Sequence, residues 1–202
     1  MGKKRKSILD REAFLSYKSI FLVLAIVVVA GCLLSLAFVD DIKMADKTVK
    51  DIELVTLTGD KRYDAGIFAE SELTVVNVWA TFCAPCIREM PEFGEVSREY
   101  ADKGVKFLGV CGDIKYDQDG TPDPGLLSDA FAIIEATGAD YLQCMPTPEY
   151  DPYLGELISN SFPGTFLVNS DGEIVRLFVG SIQKDVLVSA IEQALDRGQG
   201  GS

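Results

Sequence analysis

The longest apolar stretch of the chain runs from Ile20 to Val39, twenty residues without a charged side chain. At 1.5 Å per residue, a helix of that length crosses the roughly 30 Å of hydrocarbon in a bilayer. Beyond it the pattern changes. Residues 40–50 (DDIKMADKTVK) are polar and aperiodic and read as a linker. Residues 51–197 carry the short apolar runs of one globular domain, and GQGGS at 198–202 reads as a disordered tail.

Within the domain, Leu73 to Ala80 (LTVVNVWA) is β-branched and aromatic with almost no alternation, the pattern of a strand buried on both faces. From Pro85 onward, Ile87, Met90, Phe93, Val96 and Tyr100 recur at three- and four-residue steps, which predicts a helix, with Pro91 expected to kink it. A strand at Val105 to Val110, a turn-rich patch at Asp117 to Gly125, a helix over Leu126 to Thr137 and a short strand at Tyr141 to Cys144 follow. Hairpins are predicted at both ends of the domain. Glu53 to Thr58 meets Lys61 to Tyr63 through Gly59-Asp60, and Thr165 to Asn169 meets Glu173 to Val179 through Ser170-Asp171-Gly172. A last helix is expected over Gln183 to Asp196, capped by Ser181. Alternating strands and helices call for an α/β fold with a largely parallel sheet covered on both faces, here preceded by one transmembrane helix.

Charge adds an orientation. Before Ile20 the chain carries a net +4 (Lys3, Lys4, Arg5, Lys6, Arg11 and Lys18 against Asp10 and Glu12), and the remainder carries −16. Basic residues beside a span stay on the cytoplasmic side, so residues 1–19 face inward and the domain lies outside the cell membrane. A cleaved signal peptide and a lipoprotein signal ending at Val29-Ala30-Gly31-Cys32 also fit the run. Residues 33–39 stay apolar where a mature N-terminus would turn polar, which favours the retained single-pass anchor over lipid attachment at Cys32. An acidic body repels phosphate backbones and argues against nucleic-acid binding. The absence of any histidine removes Cys-His and Ser-His catalysis and the usual zinc and copper ligand sets.

What remains for chemistry is Cys83-Ala84-Pro85-Cys86, placed where the buried strand gives way to a helix. Unpaired N–H groups and the positive end of the helix dipole favour a thiolate at the first cysteine, which makes Cys83 the expected nucleophile. One turn on, Cys86 is placed to resolve the mixed disulfide. Pro85 loses nothing in a first helical turn, where its missing N–H has no partner anyway. Two other readings are a zinc half-site, which lacks two further ligands at matching spacing, and a structural disulfide, whose short loop would add little stability.

The stretch from Val75 to Pro91, VVNVWATFCAPCIREMP, resembles the active-site signature of the TlpA/ResA-like branch of the thioredoxin superfamily, and the similarity extends from about Asp51 to Asp196. The resemblance implies a thioredoxin-like fold, a central mixed sheet with helices on both faces, and an extracytoplasmic thiol-disulfide oxidoreductase. Such a protein reduces disulfides of partner proteins, for example in cytochrome c maturation, and draws electrons from a membrane thiol carrier. It implies no cofactor beyond the redox-active Cys83–Cys86 disulfide, and no bound metal. It further implies a cis-proline at Pro163, within Ser161 to Phe166, and substrate binding by Trp79, Pro85, Phe162 and Pro163, although Trp79 also reads as a plain core aromatic. Glu89, three residues after Cys86, matches a glutamate that tunes the cysteines in the ResA-like members. A carboxyl beside a buried thiol can take its proton, and Asn77 stands where thioredoxins carry a titrating aspartate. Phe82 replaces the second aromatic of the pattern. Cys111 and Cys144 end adjacent predicted strands and read either as separate buried thiols or as a second disulfide. Two rival functions share the fold. A peroxiredoxin-like peroxidase wants a threonine and a proline where Ala80 and Val76 stand, and a metal-delivery module wants a wider cysteine spacing and a histidine.

Overall fold

The computed structural model describes residues 49, 52–147 and 161–199. The chain divides into two units, Met1–Lys43 and Met44–Ser202. Residues 1–19, the apolar run 20–39 and all of the 40–50 stretch except Val49 lie outside the described residues. No helix among the described residues is long and apolar enough to cross a membrane.

Seven strands among the described residues form one sheet: β1 (Leu54–Thr56), β2 (Arg62–Tyr63), β3 (Leu73–Trp79), β4 (Val105–Cys111), β5 (Leu142–Pro146), β6 (Gly164–Asn169) and β7 (Ile174–Val179). Their order is β2-β1-β5-β4-β3-β6-β7. β3, β4 and β5 run parallel, because α1 (Ala84–Tyr100) and α2 (Pro124–Thr137) carry the chain back between them. The outer pairs are antiparallel, so the sheet is mixed, and both expected hairpins form. Gly59 and Gly172 supply the left-handed φ, +76° and +77°, that their turns require.

β3 is buried along its whole length. Its side chains alternate between two cores. Val75 faces Phe93, Val96, Leu187 and Ile191, from α1 and from α3 (Lys184–Gln199), while Trp79 meets Met90 and Ala130 of α1 and α2. Val76 and Val78 face the opposite side, where a 3-10 helix at Ala65–Glu70 contributes Ile67 and Phe68, and Val49 and Ile52 complete the layer. All three described α-helices thus cover one face. The helices expected on both faces reduce, among the described residues, to that short 3-10 helix on the other.

Three boundaries differ from expectation. Val49, inside the stretch read as linker, is fully buried and donates its N–H to Gly172 O at 3.1 Å, so the packed unit includes it. α3 continues to Gln199, which makes the first two residues of the expected tail helical. Ser181 does not cap α3. Glu92 of α1 accepts the Lys184 N–H at 3.0 Å, and Ser181 bonds Glu89 instead. A carboxylate at a helix N-terminus is favoured by the dipole, and here it comes from the neighbouring helix. α1 runs on past Pro91 to Tyr100. It approaches the turn after α2 so closely that a Cβ at Gly94 would lie 2.6 Å from Gly138 O.

Candidate active site

β3 ends at Trp79, and the chain then turns: Cys83 N–H donates to Ala80 O at 3.0 Å and Gly112 N–H to Trp79 O at 2.8 Å. The turn delivers Cys83 to the N-cap of α1. Its sulfur accepts the Cys86 N–H at 3.2 Å, which is the interaction that would stabilise a thiolate there once the pair is reduced. The two sulfurs are bonded, with Cα atoms 5.3 Å apart. Cys83 keeps 5% of its surface exposed and Cys86 none, so only the first sulfur can be approached from outside.

Glu89 lies one turn beyond Cys86 on the buried side of α1. Asn77 Nδ2 donates to its Oε1 at 3.2 Å, Ile182 N–H donates to its Oε2 at 3.3 Å, and Ser181 adds a side-chain hydrogen bond. Loss of solvent outweighs these bonds and pushes its pKa up from 4.5 to about 7. A carboxyl with that pKa exchanges a proton readily at neutral pH. Asn77 also donates to Thr165 Oγ1 at 3.2 Å, tying β3 to β6 beneath the site.

The redoxin family description matches residues 44–139. The thiol-disulfide oxidoreductase ResA of Geobacillus kaustophilus is 28% identical over 117 residues, 58% of this chain, and the match spans 60% of that relative's length. ResA of Oceanobacillus iheyensis is 26% identical over 192 residues, 92% of this chain and 91% of the relative. Over these stretches the chain is similar to the ResA thiol-disulfide oxidoreductases. Its fold agrees. A thiol:disulfide interchange protein of the thioredoxin family from Chlorobium tepidum superposes with a TM-score of 0.57 at 22% identity, over 74% of this chain and 97% of that one.

Around the Cys83–Cys86 pair, the residues read as substrate-binding separate into two groups. Pro85 is exposed, Phe162 half-buried and Pro163 buried after a cis bond. Phe82 is 73% exposed and meets Phe162 edge-on, ring centres 5.9 Å apart. Trp79 is the correction. It is fully buried and its Nε1 donates to Gln143 Oε1 at 3.1 Å, so it supports the site from beneath and offers a substrate no surface. Beside Cys83 a groove of about 460 Å³ opens between the active-site turn and α2, lined by Thr81, Phe82, Ile87, Asp129, Ala132, Ile133 and Ala136.

Cys111 and Cys144 are free thiols. Val110, not Cys111, stands opposite Cys144 in the β4–β5 register, so the two sulfurs lie on opposite faces of the sheet. Burial pushes the Cys144 thiol up to about 12 and raises that of Cys111 as well, which keeps both protonated and unreactive. Sequence reasoning missed Gln143 and Asp113, which reach the site from β5 and from the end of β4. Their contacts span 64 and 32 residues, and no local spacing announces them.

Proposed function

We propose that this chain is a single-pass membrane protein. Residues 20–39 anchor it, and its thioredoxin-like domain reduces disulfides of partner proteins on the extracytoplasmic side. The observation that carries the chemistry is the pairing of an approachable Cys83 at the start of α1 with a sealed Cys86 bonded to it. In the reduced state the Cys83 thiolate attacks a substrate disulfide, forming a mixed disulfide and releasing one substrate thiolate. Cys86 then attacks Cys83 Sγ, which releases the second thiolate and restores the internal disulfide. Two electrons pass to the substrate. Glu89 accepts the proton that Cys86 must lose, and returns it as the pair is reduced again by a membrane thiol carrier. Extended polypeptides carrying paired cysteines, such as the haem-attachment segment of a c-type cytochrome, fit the groove and the exposed Phe82 beside Cys83. The uncharged run and its basic flank support the anchor and its orientation.

Two variants test this. Cys83→Ser in the reduced full chain is expected to abolish reduction of a protein disulfide, with insulin as the probe, and Cys86→Ser to accumulate a mixed disulfide through Cys83. Trapping through Cys86 in the Cys83→Ser variant would reverse the assignment. Recovery of the protein in the soluble fraction, cut before Asp40, would refute the anchor.

A further inference from the structure

The turn that carries Cys83 has an anchor that the exchange chemistry itself does not use. β4 ends at Cys111, and two residues on, Asp113 directs its carboxylate back across the sheet to the loop after β3. Thr81 N–H donates to both oxygens, at 3.0 Å to Oδ1 and 3.1 Å to Oδ2, and the Thr81 hydroxyl donates to Oδ2 at 2.6 Å. The buried Cys111 thiol adds a third donor, to Oδ1 at 3.3 Å. Hydrogen bonds to an ionised acceptor are about twice as strong as neutral ones, and this group of bonds falls two residues before the nucleophile. Four constraints therefore shape the turn: Gly112 on Trp79, Ala80 on Cys83, the Asp113 carboxylate on Thr81, and the Cys83–Cys86 bond.

Reduction removes the last of these. We propose that Asp113 is a positioning residue for the dithiol: its grip on Thr81 keeps Cys83 at the N-cap of α1 once the disulfide has opened. The inference rests on the exchange reaction proposed above. The thiolate at Cys83 depends on the Cys86 N–H and on the start of α1, and both act only over a short range. A turn that loosens on reduction carries the sulfur away from them and raises its pKa. The sign distinguishes this role from a purely electrostatic one, because removing a negative charge near a thiolate would lower the pKa instead.

The test is a pH titration of Cys83 alkylation in the reduced full chain, followed peptide by peptide so that the other cysteines do not contribute, for wild type, Asp113→Ala, Thr81→Val and Thr81→Ser. Thr81→Val removes only the hydroxyl bond at nearly constant shape, and Thr81→Ser keeps both donors. Expected are an upward shift of the Cys83 pKa for Asp113→Ala, a smaller upward shift for Thr81→Val and a wild-type value for Thr81→Ser. Well below the pKa, each unit of upward shift removes the thiolate about tenfold, and exchange slows accordingly. Thermal unfolding of the oxidised forms is recorded alongside. If Asp113→Ala fails to fold, Thr81→Val decides alone. A downward shift, or variants whose melting falls while the Cys83 pKa stays at the wild-type value, overturns the proposal. In either case a wild-type chain that still reduces insulin leaves the exchange reading standing, whereas an inactive wild type would remove that reading first.

Discussion

Replacing Glu89 with glutamine tests whether this carboxyl titrates inside the fold. In the unfolded chain it loses its proton near pH 4.5, and in the native protein only near pH 7, because burial opposes its charge. Below pH 4.5 it is protonated in both states. As pH rises the unfolded chain releases its proton first, so the stabilisation present at low pH is lost through the window from 4.5 to about 7 and stays lost above it. At about 1.4 kcal/mol per unit, the loss comes to a little over ~3 kcal/mol. Glutamine does not titrate. It also cannot accept at both ends, and giving up the acceptor for the Ile182 N–H or for Asn77 costs about 1 kcal/mol at every pH. The stability difference, Glu89→Gln minus wild type, is therefore expected to be slightly negative at pH 4.5, to rise with pH and to level off at a net gain of about 2 kcal/mol above pH 7. Urea unfolding of the oxidised protein in buffers from pH 4.5 to 8.5 measures it. The same variant should lose the inflection near pH 7 in the rate of disulfide exchange. A stability difference that does not change with pH would refute the reasoning and return Glu89 to the role of an ordinary helix residue.

Two other substitutions probe the surface and the packing. Phe82→Ala removes a mostly exposed ring, so thermal unfolding should barely change. Reduction of a protein disulfide should slow several-fold relative to a small-molecule disulfide, and equal slowing of both would deny Phe82 a role in holding polypeptide. Gly94→Ala places a methyl group against Gly138 O on a backbone that cannot easily retreat, and a loss of about 1–3 kcal/mol is expected in urea unfolding, with the dithiol chemistry unchanged.

The parts legible in the sequence were those specified by local pattern. The unbroken apolar run of β3, the helical spacing after Pro85 and the Gly-containing turns each encode their element within a few residues, and the cysteine pair sits where two of those elements join. What escaped was set by register and by distance along the chain. Whether Cys111 meets Cys144 turns on a single step in the pairing of β4 with β5, and one step moves a side chain through the sheet. Trp79 reads as a binding aromatic and, more readily, as core, and Gln143, 64 residues away, decides it by claiming the N–H. The sequence before α3 points to its nearest serine, Ser181, as the cap, whereas the carboxylate of Glu92, on a different helix, takes that place. Asp113 shows the same limit: it looks like a loop aspartate until β4 is laid beside β3.

The placement of the buried thiols on opposite sides of the sheet has a kinetic consequence. With Cys111 and Cys144 unable to join, the described residues contain a single two-electron couple, and only one of its sulfurs is open to visitors. No second pair among the described residues can take oxidising equivalents inward, so in the proposed exchange the electron donor and the electron acceptor use the same doorway in turn. The proposed exchange is then ping-pong: each partner occludes the other, and an excess of either one is expected to slow the cycle by occupying the form of the protein that the other needs.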